Sequence, residues 1–145
     1  MKVSDYRELR VYRSAFDLAM SAFELSKRFP HDERYGLTDQ LRRASRSVCA
    51  NIAEAWRKRR YPASFVSKLS DADAEAAESQ VWLAFAHECG YLAADQHAEL
   101  SDRCDHICSQ LSLMMRDADR WAQPSSAPDQ DSPRSTLSRS TESGP

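Results

Sequence analysis

From Leu100 to Trp121 the apolar residues fall at Leu100, Cys104, Ile107, Leu111, Met114, Ala118 and Trp121, in alternating steps of four and three. A strand alternates its faces every two residues, so this spacing is met only by an α-helix with one apolar face. The same step recurs through Phe65, Leu69, Ala72, Ala76, Ser79, Leu83 and Ala86, and through Leu37, Leu41, Ala44, Val48, Asn51 and Ala55. A looser version runs through Leu9, Tyr12, Ala15 or Phe16, Ala19, Phe23 and Phe29. Chain breakers fall between these segments: FPHDERYG at 29–36, Tyr61 and Pro62, Gly90, and Pro124. Each apolar stripe must be buried, and short connections force antiparallel neighbours. The expected fold is all-α, an antiparallel up-down four-helix bundle over residues 1–121.

Beyond Trp121 the sequence is AQPSSAPDQDSPRSTLSRSTESGP, with seven Ser and four Pro in 24 residues. It offers too little apolar surface to offset the entropy of ordering, so residues 122–145 read as a disordered tail. No apolar run approaches the ~18 residues that suggest a membrane span, and MKVSDYRELR lacks the apolar core of a signal peptide. A cytoplasmic protein without a membrane partner is expected. Cysteines at 49, 89, 104 and 108 show no secreted-scaffold spacing and are read as reduced.

The chemistry-bearing residues do not assemble into a catalytic pattern. Cys104 and Cys108, with His106 between them and His97 upstream, invite a metal site, yet Cys104 falls on the apolar seam and two more convergent ligands would be needed. Buried structural thiols are preferred. The run DADAEAAES at 71–79 is carboxylate-rich but lacks the Glu-x-x-His spacing of bundle di-iron sites. There is no glycine-rich phosphate loop, and His31, His87, His97 and His106 are scattered. No catalytic residue, metal or cofactor is expected, and the chain is read as non-enzymatic.

Charge is more informative. The net charge is −2, but residues 1–61 carry 14 Lys and Arg against 8 Asp and Glu, while residues 62–121 carry 4 against 11. Seven of the basic residues lie in QLRRASRSVCANIAEAWRKRR, residues 40–60. On a helix Arg42, Arg46, Arg57 and Arg60, with Arg43 flanking, gather roughly opposite the apolar seam and reach ~27 Å at 1.5 Å per residue. With Lys58 they form a candidate nucleic-acid-binding face, because the arginine fork suits phosphate. A solvated helix face is the ordinary alternative. Ala50 and Ala53 leave room for close approach by either a nucleic acid or a neighbouring subunit. Asn51 is the polar member of the seam and is expected to bond to neighbouring helices and fix their register. In the third segment Val81, Trp82 and Phe85 form a second apolar stripe, read as an oligomer interface.

The chain also resembles the four-helix-bundle family named after proteins encoded in intervening sequences of bacterial 23S rRNA, a family similar to the accessory variability protein of diversity-generating retroelements. The resemblance rests on YRELRVYRSAFDLA, then FPHDERYGL, QLRRA and NIAE, in that order, and covers most of residues 5–92. Where that family has Gly after NIAE this chain has Ala55, and where it has a Gly-Ser pair this chain has Ala74 and Glu75. The resemblance implies a homopentamer without catalytic activity. Two functional readings stay open. One is an oligomeric scaffold that binds RNA, DNA or a ribonucleoprotein through the arginine face; the other is a structural homo-oligomer that recruits a protein partner and has no nucleic-acid role.

Overall fold

The computed structural model describes residues 2–122. Four long helices, α1 (Arg10–Ser26), α2 (Leu37–Arg57), α3 (Pro62–Glu88) and α4 (Ala94–Arg116), are followed by a short α5 (Ala118–Ala122). The described residues contain no strand. α1 packs on α2 and α4, and α3 packs on α2 and α4, while the backbones of the diagonal pairs stay further apart. Cross-helix bonds give the antiparallel register. Arg43 and Glu54 on α2 meet Glu78 and Lys68 on α3 at 2.8 and 2.9 Å, and Gln80 of α3 donates to the Ser101 carbonyl of α4 at 3.0 Å. The tail assigned from composition lies outside the described residues except for Ala122, which is helical and buried.

The helix ends follow from local chemistry. Glu33 lends a carboxylate oxygen to the Leu37 N–H at 3.2 Å, satisfying one of the free donors at the start of α2. Pro62 opens α3, where its missing N–H costs nothing. Two residues past the end of α3 stands Gly90, whose φ of +79° is the left-handed conformation that favours glycine. There the Tyr91 N–H bonds the Ala86 carbonyl and the Gly90 N–H bonds that of His87, a Schellman closure. At the start of α4 the Gln96 side chain accepts the Ala93 N–H at 3.0 Å; alanine has no acceptor to return the bond.

The core contains the expected stripes of α3 and α4 almost residue for residue: Phe65, Leu69, Ala72, Ala76, Ser79, Leu83 and Ala86 from one, Leu100, Cys104, Ile107, Leu111 and Met114 from the other. Each large side chain fully buried here contributes about 1.5–3 kcal/mol. α1 differs. Its buried row is Val11, Ala15, Leu18, Ala19 and Ala22, ending on Ser26, whereas Phe16 of the aromatic row is 49% exposed. The buried face is thus rotated by about one residue, 100°, from the face that carries Tyr12, Phe16 and Phe23. With Ala15 and Ala22 inward, α1 turns a row of small residues to its neighbours, and its larger rings ride on the flank beside α2.

Candidate nucleic-acid interface

The arginines of residues 40–60 do not form one continuous stripe. Arg43 turns toward α3, where it bonds Glu78 at 2.8 Å and lies 4.0 Å from Glu75. Glu75 is itself pushed above the usual carboxylate range, first by burial and then by its neighbour Glu78. Arg42 turns the other way: its Nε donates to the buried Ser26 hydroxyl at 2.8 Å and its guanidinium lies 4.8 Å from the Phe23 ring centre. Arg46 lies over the same ring at 5.7 Å but is exposed. α2 ends at Arg57, so Lys58 and Arg60 belong to the following turn. Arg59 folds back onto Trp56, 4.0 Å from its ring and bonded to its carbonyl.

Arg46, Arg57, Lys58 and Arg60 are therefore exposed and have no ion-pair partner among the described residues. Antiparallel packing puts the end of α2 at the same pole as the start of α1, with its exposed Arg10 and Arg13. The charge of Arg57 reaches Asp5 there, although the hydrogen bonds from Arg7 do most to hold that carboxyl down at about 2.

Beside this basic flank is a groove of about 470 Å³ between α1 and α2. Its walls are Tyr6, Tyr12, Phe16, Met20 and Phe23, its α2 side is Cys49, Ala50 and Ala53, and Arg46 stands at the edge. The Tyr12 and Phe16 rings are 6.2 Å apart and tilted by 35°. The sequence showed the gap at Ala50 and Ala53 but not the rings that face it, because it assigned Tyr12 and Phe23 to the core and left the position between them open to Ala15 or Phe16.

Asn51 is half-buried, and its amide donates to the Ser47 carbonyl at 3.0 Å and the Ser47 hydroxyl at 3.2 Å. Both partners are on α2 itself, where the sequence suggests neighbouring helices. The core position expected of Asn51 is taken by Ile52. This follows from rotation: an interior row that contains Val48, Ile52 and Ala55 leaves residue 51 at its margin.

On α3, Val81 and Phe85 are 48% and 55% exposed. Trp82 is half-buried, packs against the core, and donates its indole N–H to Glu78 at 3.3 Å. With Leu37 and Gln40 of α2 it lines a shallower groove of about 300 Å³. Cys104 is buried within the core, and the Cys108 thiol contacts the Asp73 carbonyl at 3.9 Å. Among the described residues no three His, Cys, Asp or Glu side chains converge as metal ligands would.

The sequence profile of the family described as 23S rRNA-intervening sequence protein matches residues 7–113. No curated protein matches the chain. Among solved structures, a protein of unknown function from the S23 ribosomal protein family of Bacteroides thetaiotaomicron is similar, with a TM-score of 0.66 and 24% identity. The match covers 73% of this chain and 98% of that one, and at this identity it speaks to the fold alone. The extent of the profile match, from α1 through nearly all of α4, shows that the chain belongs to the 23S rRNA-intervening sequence protein family.

Proposed function

We propose that this is a non-enzymatic, self-associating cytoplasmic protein that holds nucleic acid by its phosphates on the α1/α2 flank and the adjoining pole. The observation that carries this reading is the contrast among the basic residues of residues 40–60. Arg42 and Arg43 are engaged inside the chain, whereas Arg46, Arg57, Lys58 and Arg60 are exposed without ion-pair partners among the described residues. Exposed arginines on an otherwise mildly acidic chain are suited to a polyanion. The family name, which associates its members with ribosomal RNA, agrees with RNA as that polyanion. No helix among the described residues is long and apolar enough to cross a membrane.

Self-association is supported by a different surface, the exposed Val81 and Phe85 beside Trp82. A second copy of the chain is the proposed partner there, and five as the number of copies rests on the family resemblance.

Arg46→Glu combined with Arg57→Glu is expected to abolish retention on mixed RNA while leaving helicity and sedimentation unchanged. For the parent, affinity should fall steeply and linearly in log–log form with added salt, as counterion release requires. A parent protein that shows no affinity at low salt would sink the nucleic-acid reading.

A further inference from the structure

The α1/α2 groove adds something that phosphate contacts alone do not need. A duplex presents sugar and phosphate outward and keeps its base faces stacked, so an aromatic slot beside it gains little. A single strand exposes base faces, and stacking these on aromatic side chains is the main sequence-tolerant source of affinity for unpaired nucleic acid. The groove has the parts for this. Phe16 shows half of its surface to solvent, Tyr12 stands 6.2 Å away at a shallow tilt, and Ala50 and Ala53 leave space on the opposite side. Phe23 is already covered by Arg42 and Lys27, with ring-centre distances of 4.8 and 4.7 Å, which leaves Phe16 as the open platform. Arg46 at the edge and Arg57, three turns further along α2, extend a line of positive charge past the slot.

We infer that this groove binds unpaired nucleotides, with a base stacked on Phe16 and the flanking phosphates held by Arg46 and Arg57, so that the protein prefers single-stranded to duplex nucleic acid. The inference rests on the phosphate-binding reading above and adds strand selectivity to it. Charge complementarity favours an occupant that carries phosphates: Arg46 at the rim and Arg57 beyond it are exposed and have no ion-pair partner among the described residues. The rim of the groove thus keeps positive charge for a ligand that brings its own phosphates.

The test uses the full chain and a fluorescein-labelled oligoribonucleotide of about 12 nucleotides, within the usual range of single-strand site sizes. It is measured by anisotropy as a single strand and as the matching duplex. The parent should bind the single strand at least tenfold more tightly. Phe16→Ala should lose about tenfold of single-strand affinity and leave duplex binding and sedimentation unchanged, whereas Arg46→Gln should weaken both. Equal binding of the two forms, indifferent to Phe16→Ala, would overturn the stacking inference while leaving phosphate binding intact. Binding to neither form would remove both. A change of sedimentation in Phe16→Ala would assign the groove to a contact between copies and overturn the inference.

Discussion

Burial keeps three of the four thiols protonated. It pushes Cys49 up to about 11 and Cys104 and Cys108 up to about 12, with the Asp73 carboxylate assisting at Cys108. Cys89, at the end of α3, is exposed. Thiolate is the reactive form, so reactivity should follow burial. At pH 8 a disulfide reagent is expected to modify Cys89 fastest, the partly exposed Cys49 and Cys108 more slowly, and Cys104 only on unfolding; a Cys104 that reacts as fast as Cys89 in the folded protein would contradict its buried placement. The same shifts act on stability. A thiol whose folded pKa exceeds its ordinary value of 9.0 supports the fold fully below pH 9. That support declines as pH rises from about 9 toward 12, because the unfolded chain ionises first. Urea unfolding at pH 10 should accordingly give a lower stability than at pH 8. At the same scale, Asn51 shows how one residue's role depends on helix rotation: a seam position becomes a marginal one, and its bonds become local.

Among the elements, α1 and α3 each carry more apolar surface than one neighbour can cover. In α1 the surplus becomes the ring-lined groove, and in α3 it becomes the exposed Val81 and Phe85. The α3–α4 connection is more narrowly determined. Tyr91, bonded back to Ala86, packs its ring 5.6 Å from Phe29 of the α1–α2 connection, so one closure ties two loops together. A Cβ added at Gly90 would meet nothing within 4 Å, so backbone conformation, not space, makes glycine the favoured residue. Gly90→Ala should cost about 1–2 kcal/mol, the price of a left-handed φ for an L side chain. Chemical denaturation measures this directly, and an unchanged midpoint would show that the connection rearranges freely.

Across the whole molecule, folding brings the basic first half against the acidic second half within one chain. Arg43 with Glu75 and Glu78, and Lys68 with Glu54, bridge α2 and α3. Solvent reaches at least one partner of each pair and screens it, so the pairs contribute little, and the apolar core supplies the stability. What the pairing leaves over is positive charge near the end of α2. For assembly, Phe85 is a cleaner probe than Trp82, whose substitution would also disturb the core against which it packs. Phe85→Glu should lower the sedimentation coefficient by dissociating copies while far-UV circular dichroism stays the same, since a carboxylate is costly against an apolar partner. Sedimentation like the parent's would exclude Phe85 from the contact.

By itself the sequence determined the elements and most of the interior. The steps of three and four name the buried residues of α3 and α4 because helical periodicity is a property of the backbone, and in each of those helices that row runs nearly the whole length. Proline at 62 and glycine at 90 mark boundaries for equally local reasons. Tertiary structure decided the rest. α1 carries two apolar rows, and only packing against α2 and α4 selects the one with Ala15 and Ala22, turning the rings outward. The arginines of α2 project alike along the sequence, yet Ser26 and Phe23 engage one, Glu78 engages another, and Arg46 and Arg57 are left exposed without ion-pair partners among the described residues. Those partners lie 16 residues or more away in the chain, beyond the reach of any local pattern.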